Sequence, residues 1–301
     1  MGSVVFSIDA ELGWGFHDYS NPPTDRIESA RPGWKTLLEI FETYNVPATW
    51  AVVGHLLLED CNGIHADHPA VDGWFARERG AWRDRRDLRF GPDLVEAIAE
   101  ADAGHEIGCH SFSHVLFDDP RTTRDIARAE LETAIEVART FDIEYESFVF
   151  PRNAVGHREL LAETGFSCYR GAADPPESRL RRPLEKLLAT IDPQRVELVE
   201  PTVDKHGLVD VPPSLFCFRF EGMPRAVVET LAEDPIVRQA KHAIDRASRT
   251  DGVFHAWLHP NNLQAERDAR RMESIIAYAA EKQATSDLRI ETMADVAERA
   301  Q

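Results

Sequence analysis

Lysine is scarce in this sequence. It fills five of the 34 basic positions, at Lys35, Lys186, Lys205, Lys241 and Lys282, and arginine fills the others. The 52 acidic residues are therefore poorly balanced, and the formal net charge is −18. Such a charge argues against nucleic acid as a partner, because the phosphate backbone recruits basic surfaces. It also makes the chain repel itself in dilute buffer, a repulsion that salt screens. A halophilic source is the expectation. Long apolar runs are absent as well: no stretch approaches the roughly 18 residues of a transmembrane helix, so no membrane span is expected. The opening Met1–Asp9 segment has no basic n-region and runs straight into a strand pattern. A signal peptide is thus not expected, and the location is read as cytoplasmic. The cysteines Cys61, Cys109, Cys168 and Cys217 show no short paired spacing and read as reduced thiols.

What is present is the composition of a soluble globular protein, 43% hydrophobic and 29% charged. A chain of 301 residues can bury a substantial core. Short apolar runs at 4–9, 46–54, 106–110, 146–152, 167–170, 208–211, 252–258 and 288–291 read as strands. Amphipathic stretches at 32–44, 92–103, 121–141, 158–164, 226–231, 236–249 and 263–283 read as helices. Repeated strand–helix alternation implies a parallel sheet with helices outside. No composition break divides it, so one domain over 1–301, closed or nearly closed as a barrel, is expected. Residues 55–91 are irregular, aromatic and charged, and too long for an ordinary connection; they read as a functional excursion. The histidines within it, His55, His65 and His68, read as surface or loop residues.

Parallel-barrel enzymes place their chemistry at the C-terminal ends of the strands. Polar residues fall there repeatedly in this sequence. Asp9 and Glu11 end the first strand, His110 and His114 follow the third, and Arg152 and Asn153 follow the fourth. Asp210 lies near the end of a later strand, and His259 follows the strand 252–258. One helical turn would put His110 and His114 on one face. With a carboxylate from Asp9-Ala10-Glu11 they make the ligand set of an open catalytic metal site. Zinc suits that set, and other divalent metals fit it too. Asp9 directly ends an apolar run, where an unpaired charge is costly. Arg152 is expected to pair with it and keep it ionised, the alternative being an ordinary structural ion pair. Residues 255, 257 and 259 share a strand face. His259, at the strand end, is the better candidate acid, and the deeper His255 reads as a satisfied core or supporting histidine.

These segments together resemble the polysaccharide deacetylase family, also called the NodB-homology family or carbohydrate esterase family 4. Ser7-Ile8-Asp9-Ala10-Glu11 resembles its first motif, usually Thr-Phe-Asp-Asp-Gly. Gly104-His105-Glu106-Ile107-Gly108 with His110-Ser111-Phe112-Ser113-His114 is similar to the second, and is the most specific element. Phe150-Pro151-Arg152-Asn153 resembles the third, Val209-Asp210-Val211-Pro212-Pro213 the fourth, and Leu258-His259-Pro260 the fifth. The resemblance implies an α/β fold, a distorted (β/α)7 barrel. It also implies a metal-dependent hydrolase that removes N-acetyl or O-acetyl groups from a glycan or glycan precursor. By similarity, Glu11, His110 and His114 hold the metal, Asp9 is the base with Arg152 orienting it, and His259 is the acid with Asp210 holding its imidazole. Trp14, Trp74 and Asn153 fall on the substrate side; Trp82 is a further candidate platform. For the tryptophans, core packing is the alternative.

Three departures stand out. Ala10 replaces the usual second aspartate, so the ligand role moves to Glu11 in an Asp-x-Glu arrangement. The third motif reads Pro-Arg-Asn instead of Arg-x-Pro-Tyr, and the fourth lacks its tryptophan. Two other functions stay open: hydrolysis of a non-sugar amide, as in allantoinase-like members, and a carbohydrate-binding barrel that has lost catalysis. The missing export signal points to a lipid-linked or nucleotide-linked sugar more than to a finished wall polymer.

Overall fold

The computed structural model describes residues 1–172, 192–222, 225 and 233–301. The helix expected at 226–231 and much of the Pro- and Arg-rich stretch after 171 lie outside the described residues. The strands are β1 (Ser3–Ala10), β2 (Thr49–Val52), β3 (Glu106–Cys109), β4 (Ser147–Val149), β5 (Cys168–Arg170), β6 (Thr202–Val203), β7 (Val209–Asp210), β8 (Leu215–Phe216), β9 (Val253–Leu258) and β10 (Arg289–Glu291). Their order is β6-β7-β5-β4-β3-β2-β1-β9-β8, with β10 added against the start of β1. Among the described residues, the eight strands from β7 to β8 along that path are parallel, and β6 runs antiparallel to β7. This is the distorted (β/α) barrel that the resemblance implies.

Every residue of β1 is buried, as a parallel strand covered on both faces requires. Its two faces have different jobs. Val4, Phe6, Ile8 and Ala10 join the outer core with the apolar stripe Trp34, Leu37 and Phe41 of helix Ala30–Thr43. Val5 faces inward and packs with Ala51, Val149, Cys168, Val209 and Val253. The C-terminal helix Met293–Ala300 adds Met293, Val296 and Ala297 to that inner cluster. The interior is thus plugged at the N-terminal ends of the strands. Period-two alternation along β1 then carries Ser7 and Asp9 inward above Val5.

Register brings the site residues level with one another. Ile8 pairs with Leu258, so His259 follows alongside Asp9. Ala10 pairs with Val52 and Val52 with Cys109, which sets Glu11 and His110 just past the same rung. Val149 pairs with Arg170. The 55–91 excursion carries only the short helices Ala76–Arg79 and Arg86–Arg89 after a 3-10 turn at Gly54–Leu57. The final helix and the short helix Thr24–Glu28 are additions to the expected elements.

Candidate active site

Glu11, His110 and His114 converge in the folded chain. One ligand atom from each lies within 4.8 Å of the others. The Glu11 Oε2 is 3.1 Å from His114 Nε2 and 3.6 Å from His110 Nε2. All three side chains are buried. His110 Nδ1 donates to the Val149 carbonyl at 2.7 Å. A carbonyl can only accept, so the proton sits on Nδ1 and the lone pair on Nε2 faces the cluster. That Nε2 is buried and has no hydrogen-bond partner. A buried imidazole lone pair aimed at a carboxylate is what a divalent cation would satisfy, so the residues fit one.

The two histidines do not share a helical turn, as their spacing suggested. His110 follows β3, and the chain then reverses with Ser111 at φ 60° and His114 at φ 63°. Ser111 Oγ accepts the His114 backbone N–H at 2.9 Å and stabilises this reversal. Glu11 is held by close approach. A Cβ on Gly15 would stand 2.0 Å from Glu11 Oε1, so only glycine leaves room for the carboxylate. Asn261 Nδ2 donates to the same oxygen at 3.3 Å.

Asp9 is paired, though with a different arginine. Arg170, at the end of β5, donates from both terminal nitrogens to the two Asp9 oxygens at 2.7 Å each. Both side chains are buried. Arg170 also donates to Ser7 Oγ at 3.0 Å and to Asn153 Oδ1 at 3.1 Å, and lies 4.5 Å over the Trp257 ring. Arg152 faces away: it pairs with Asp18 Oδ1 at 2.6 Å and covers Tyr19. Its residue takes φ 54°, which turns the side chain off the strand direction that Asp9 would have required. Arg152 is thus the ordinary ion pair, and Asn153 supports Arg170 from its position beside it.

Burial alone would raise both carboxyls. For Asp9, the charges of Arg170 and His259 outweigh it and hold the group below its usual value. For Glu11, the charge of His259 and the nearby His114 imidazole outweigh burial and hold it well below. His259 Nε2 is 3.6 Å from Asp9 Oδ2 and 3.8 Å from Glu11 Oε1. Its ring sits beside Trp257 and Phe216. Asp210 does not reach it: that carboxylate accepts the Gly171 backbone N–H at 3.0 Å, and burial raises its pKa. β7 is only two residues long, and Asp210 is drawn to its immediate neighbour β5.

His255 is the supporting histidine the sequence suggested. It is buried, contacts Ser7 Oγ at 2.7 Å and donates from Nδ1 to the Val211 carbonyl at 3.0 Å. Burial and Arg170 lower its pKa to about 3, so it is neutral. A chain His255–Ser7–Arg170–Asp9 results.

The tryptophans divide. Trp14 is buried, donates to the Arg89 carbonyl at 3.3 Å and packs on His55, so it serves the core instead of a ligand. Trp82 packs with Phe16, Ile27 and Leu88. Trp74 donates to Ser113 Oγ at 2.9 Å and, with His17, Asp18 and Thr122, lines a cleft of about 350 Å³. The His17 ring lies 6.4 Å from that of His114, which sets this cleft beside the cluster.

Residues 24–164 match the family model described as polysaccharide deacetylase. Over this span the chain is similar to the polysaccharide deacetylase family. The matched span holds His110 and His114; Asp9, Glu11, Arg170 and His259 lie outside it. Three solved structures share the fold. A putative polysaccharide deacetylase from Mycobacterium smegmatis is 20% identical with TM-score 0.62, covering 99% of this chain and 89% of its own. The PuuE allantoinase is 15% identical with TM-score 0.63, covering 98% and 89%. A probable polysaccharide deacetylase from Pseudomonas aeruginosa PAO1 is 15% identical with TM-score 0.59, with the same coverage of 98% and 89%. No curated protein sequence matches the chain.

The residue that sequence reasoning missed is Arg170. Its signal was an arginine ending an apolar strand, the same cue that had drawn attention to Asp9. His17, buried beside His114 and lowered to about 4 by burial, was also missed.

Proposed function

We propose that the protein is a metal-dependent hydrolase that releases acetate from an N-acetylated sugar of a glycan or glycan precursor. The match of residues 24–164 to the polysaccharide deacetylase family model supports a carbohydrate deacetylase. The observation that carries the finer reading is the convergence of Glu11, His110 and His114 beside Asp9 and His259. A divalent ion held by Glu11, His110 and His114, zinc by ligand type, supplies a Lewis acid for the amide carbonyl and brings the pKa of water toward about 7.

The protein groups supply the proton transfers. Asp9, kept ionised and oriented by the two-pronged Arg170 contact, takes a proton from the attacking water as general base. His259, on the open side of the cluster, delivers a proton to the leaving nitrogen. Water adds to the acyl carbon, the carbon–nitrogen bond breaks, and the products are acetate and an amine. The cleft beside Trp74 is the place for the sugar, with the indole edge as one wall.

Hydrolysis of a non-sugar amide is a second reading, because the fold likeness to the allantoinase equals that to the deacetylases. Acetate release from a panel of N-acetyl sugars, set beside hydrolysis of a cyclic ureide, decides between them. Loss of activity with chelator and its return with Zn²⁺ supports the metal requirement, and full activity in chelator overturns it. We further infer a salt-adapted protein from the acidic charge; a melting temperature that does not rise with added salt counts against it. Among the described residues no helix is long and apolar enough to cross a membrane.

A further inference from the structure

We propose a second divalent-metal site, distinct from the catalytic cluster, formed by His55, Cys61, His65 and Glu78. One ligand atom from each of the four lies within 4.8 Å of the others. His55 Nε2 is 2.8 Å from Glu78 Oε1, His65 Nε2 is 2.9 Å from Glu78 Oε2, and Cys61 Sγ is 3.5 Å from His65 Nε2. A tetrahedral zinc with Zn–S of about 2.3 Å and Zn–N of about 2.0–2.1 Å sets sulfur and nitrogen roughly 3.5 Å apart. A mixed sulfur, nitrogen and carboxylate set of four selects zinc among the biological divalent ions.

The tautomer of His55 points the same way. Its Nδ1 donates to the Arg89 carbonyl at 3.2 Å, which leaves the lone pair on Nε2. That Nε2 is buried and makes no hydrogen bond, even though Glu78 Oε1 is so near. Nε2 and Oε1 lie side by side, as two ligands of one cation do, with Arg89 donating to the same Oε1. His110 in the catalytic cluster shows the same pairing of a carbonyl-bound Nδ1 and a partnerless Nε2.

A thiol–imidazole–carboxylate proton relay does not fit. Such a relay needs the thiol on one ring nitrogen and the carboxylate on the other. In His65 the same Nε2 faces both Cys61 and Glu78. Gly63 shapes the loop between Cys61 and His65. It takes φ +76°, its N–H donates to Cys61 Sγ at 3.3 Å, and a Cβ there would meet Arg79 Cγ at 2.7 Å. Arg89 braces the site from behind, donating to the Cys61 carbonyl at 2.8 Å and pairing with Glu78.

The site would clip the 55–91 excursion onto the turn that follows β2. That segment has little regular structure of its own, and a bound metal contributes its binding energy to holding such a segment folded. It also carries Trp74, the wall of the catalytic cleft.

Cobalt substitution of the full-length protein tests the proposal. Metal-stripped protein reloaded with Co²⁺ should bind two equivalents and show thiolate-to-cobalt charge-transfer absorption in the near ultraviolet. The catalytic cluster has no sulfur and cannot give that band. Cys61→Ser should lose the band, whereas His110→Ala should lose one equivalent and keep the band. A second readout uses the unmutated chain. Cys61 is the one cysteine that is not buried. Its labelling by a thiol reagent should be at least about tenfold slower with Zn²⁺ than after chelation. A cobalt protein without the band, or a thiol rate indifferent to zinc, overturns the second site and leaves His55–Glu78 an ion pair. Two retained equivalents in His110→Ala would instead overturn the catalytic ligand set.

Discussion

Arg170→Met should cripple the protein where Arg152→Ala should not. Arg170 is fully buried and makes two 2.7 Å charge-assisted bonds to Asp9, with further bonds to Ser7 and Asn153. Methionine fills part of the space but strands the Asp9 charge in the barrel interior. Breaking one side of a buried pair costs about 3–5 kcal/mol. For a chain of this size that lowers the melting temperature by roughly 10 °C. Arg152 makes one side-chain ion pair, to Asp18, with the two side chains 34% and 25% exposed. Its loss should cost only about 0–1 kcal/mol. The kinetic contrast should be as large. Without its guanidinium partner Asp9 loses orientation, and kcat should fall at least roughly a hundredfold, the scale of a general base. Arg170→Lys separates charge from geometry: it keeps the cation but loses the two-pronged fork, so it should recover stability more than kcat. Calorimetry and initial rates on the three variants decide. A larger loss in Arg152→Ala than in Arg170→Met would refute the reasoning.

Asp9→Asn and His259→Ala should each lower turnover by at least about a hundredfold while the bound metal remains, read by rate and metal content together. Gly15→Ala should push Glu11 out of place and weaken metal affinity with little change in overall fold, read by titration calorimetry and circular dichroism. Glu106 gives a pH signature. Burial raises its pKa, while Thr49 Oγ and the Ala294 N–H bond its Oε2. Below the ordinary carboxyl pKa of about 4.3, folded and unfolded chains are both protonated and nothing is lost. As pH rises through the raised folded value, the folded chain must hold a buried charge, and stability falls. Glu106→Gln should therefore flatten the stability curve over that window and be no less stable at neutral pH; parallel denaturation curves for the two proteins would contradict this.

The parallel strands were legible because burial on both faces writes near-continuous apolar runs, as in β1 and β9. Chemistry at the strand ends was legible for a related reason: Asp9 and His259 each interrupt such a run. What failed was pairing between strands. Arg152 and Arg170 both end apolar strands, and only the β4–β5 register and the left-handed turn at Arg152 decide which one faces Asp9. Asp210 failed likewise, since its partner is set by which strand lies beside β7. The His110-x-x-x-His114 spacing pointed to the right pair through the wrong local structure, because a turn with two left-handed residues can do what a helical turn does. His55 and His65 were passed over because their cluster joins residues as distant as 55 and 78 across an irregular segment that carries no periodicity.

The central claim is that Glu11, His110 and His114 hold a divalent cation. Zinc titration calorimetry on a Cys61→Ser, His65→Ala double variant, which leaves the second site too few ligands while keeping all three of the catalytic cluster, tests it most directly. One equivalent bound, and none after His110→Ala is added, is the predicted result. No binding to that variant, or undiminished binding once His110→Ala is added, would contradict it.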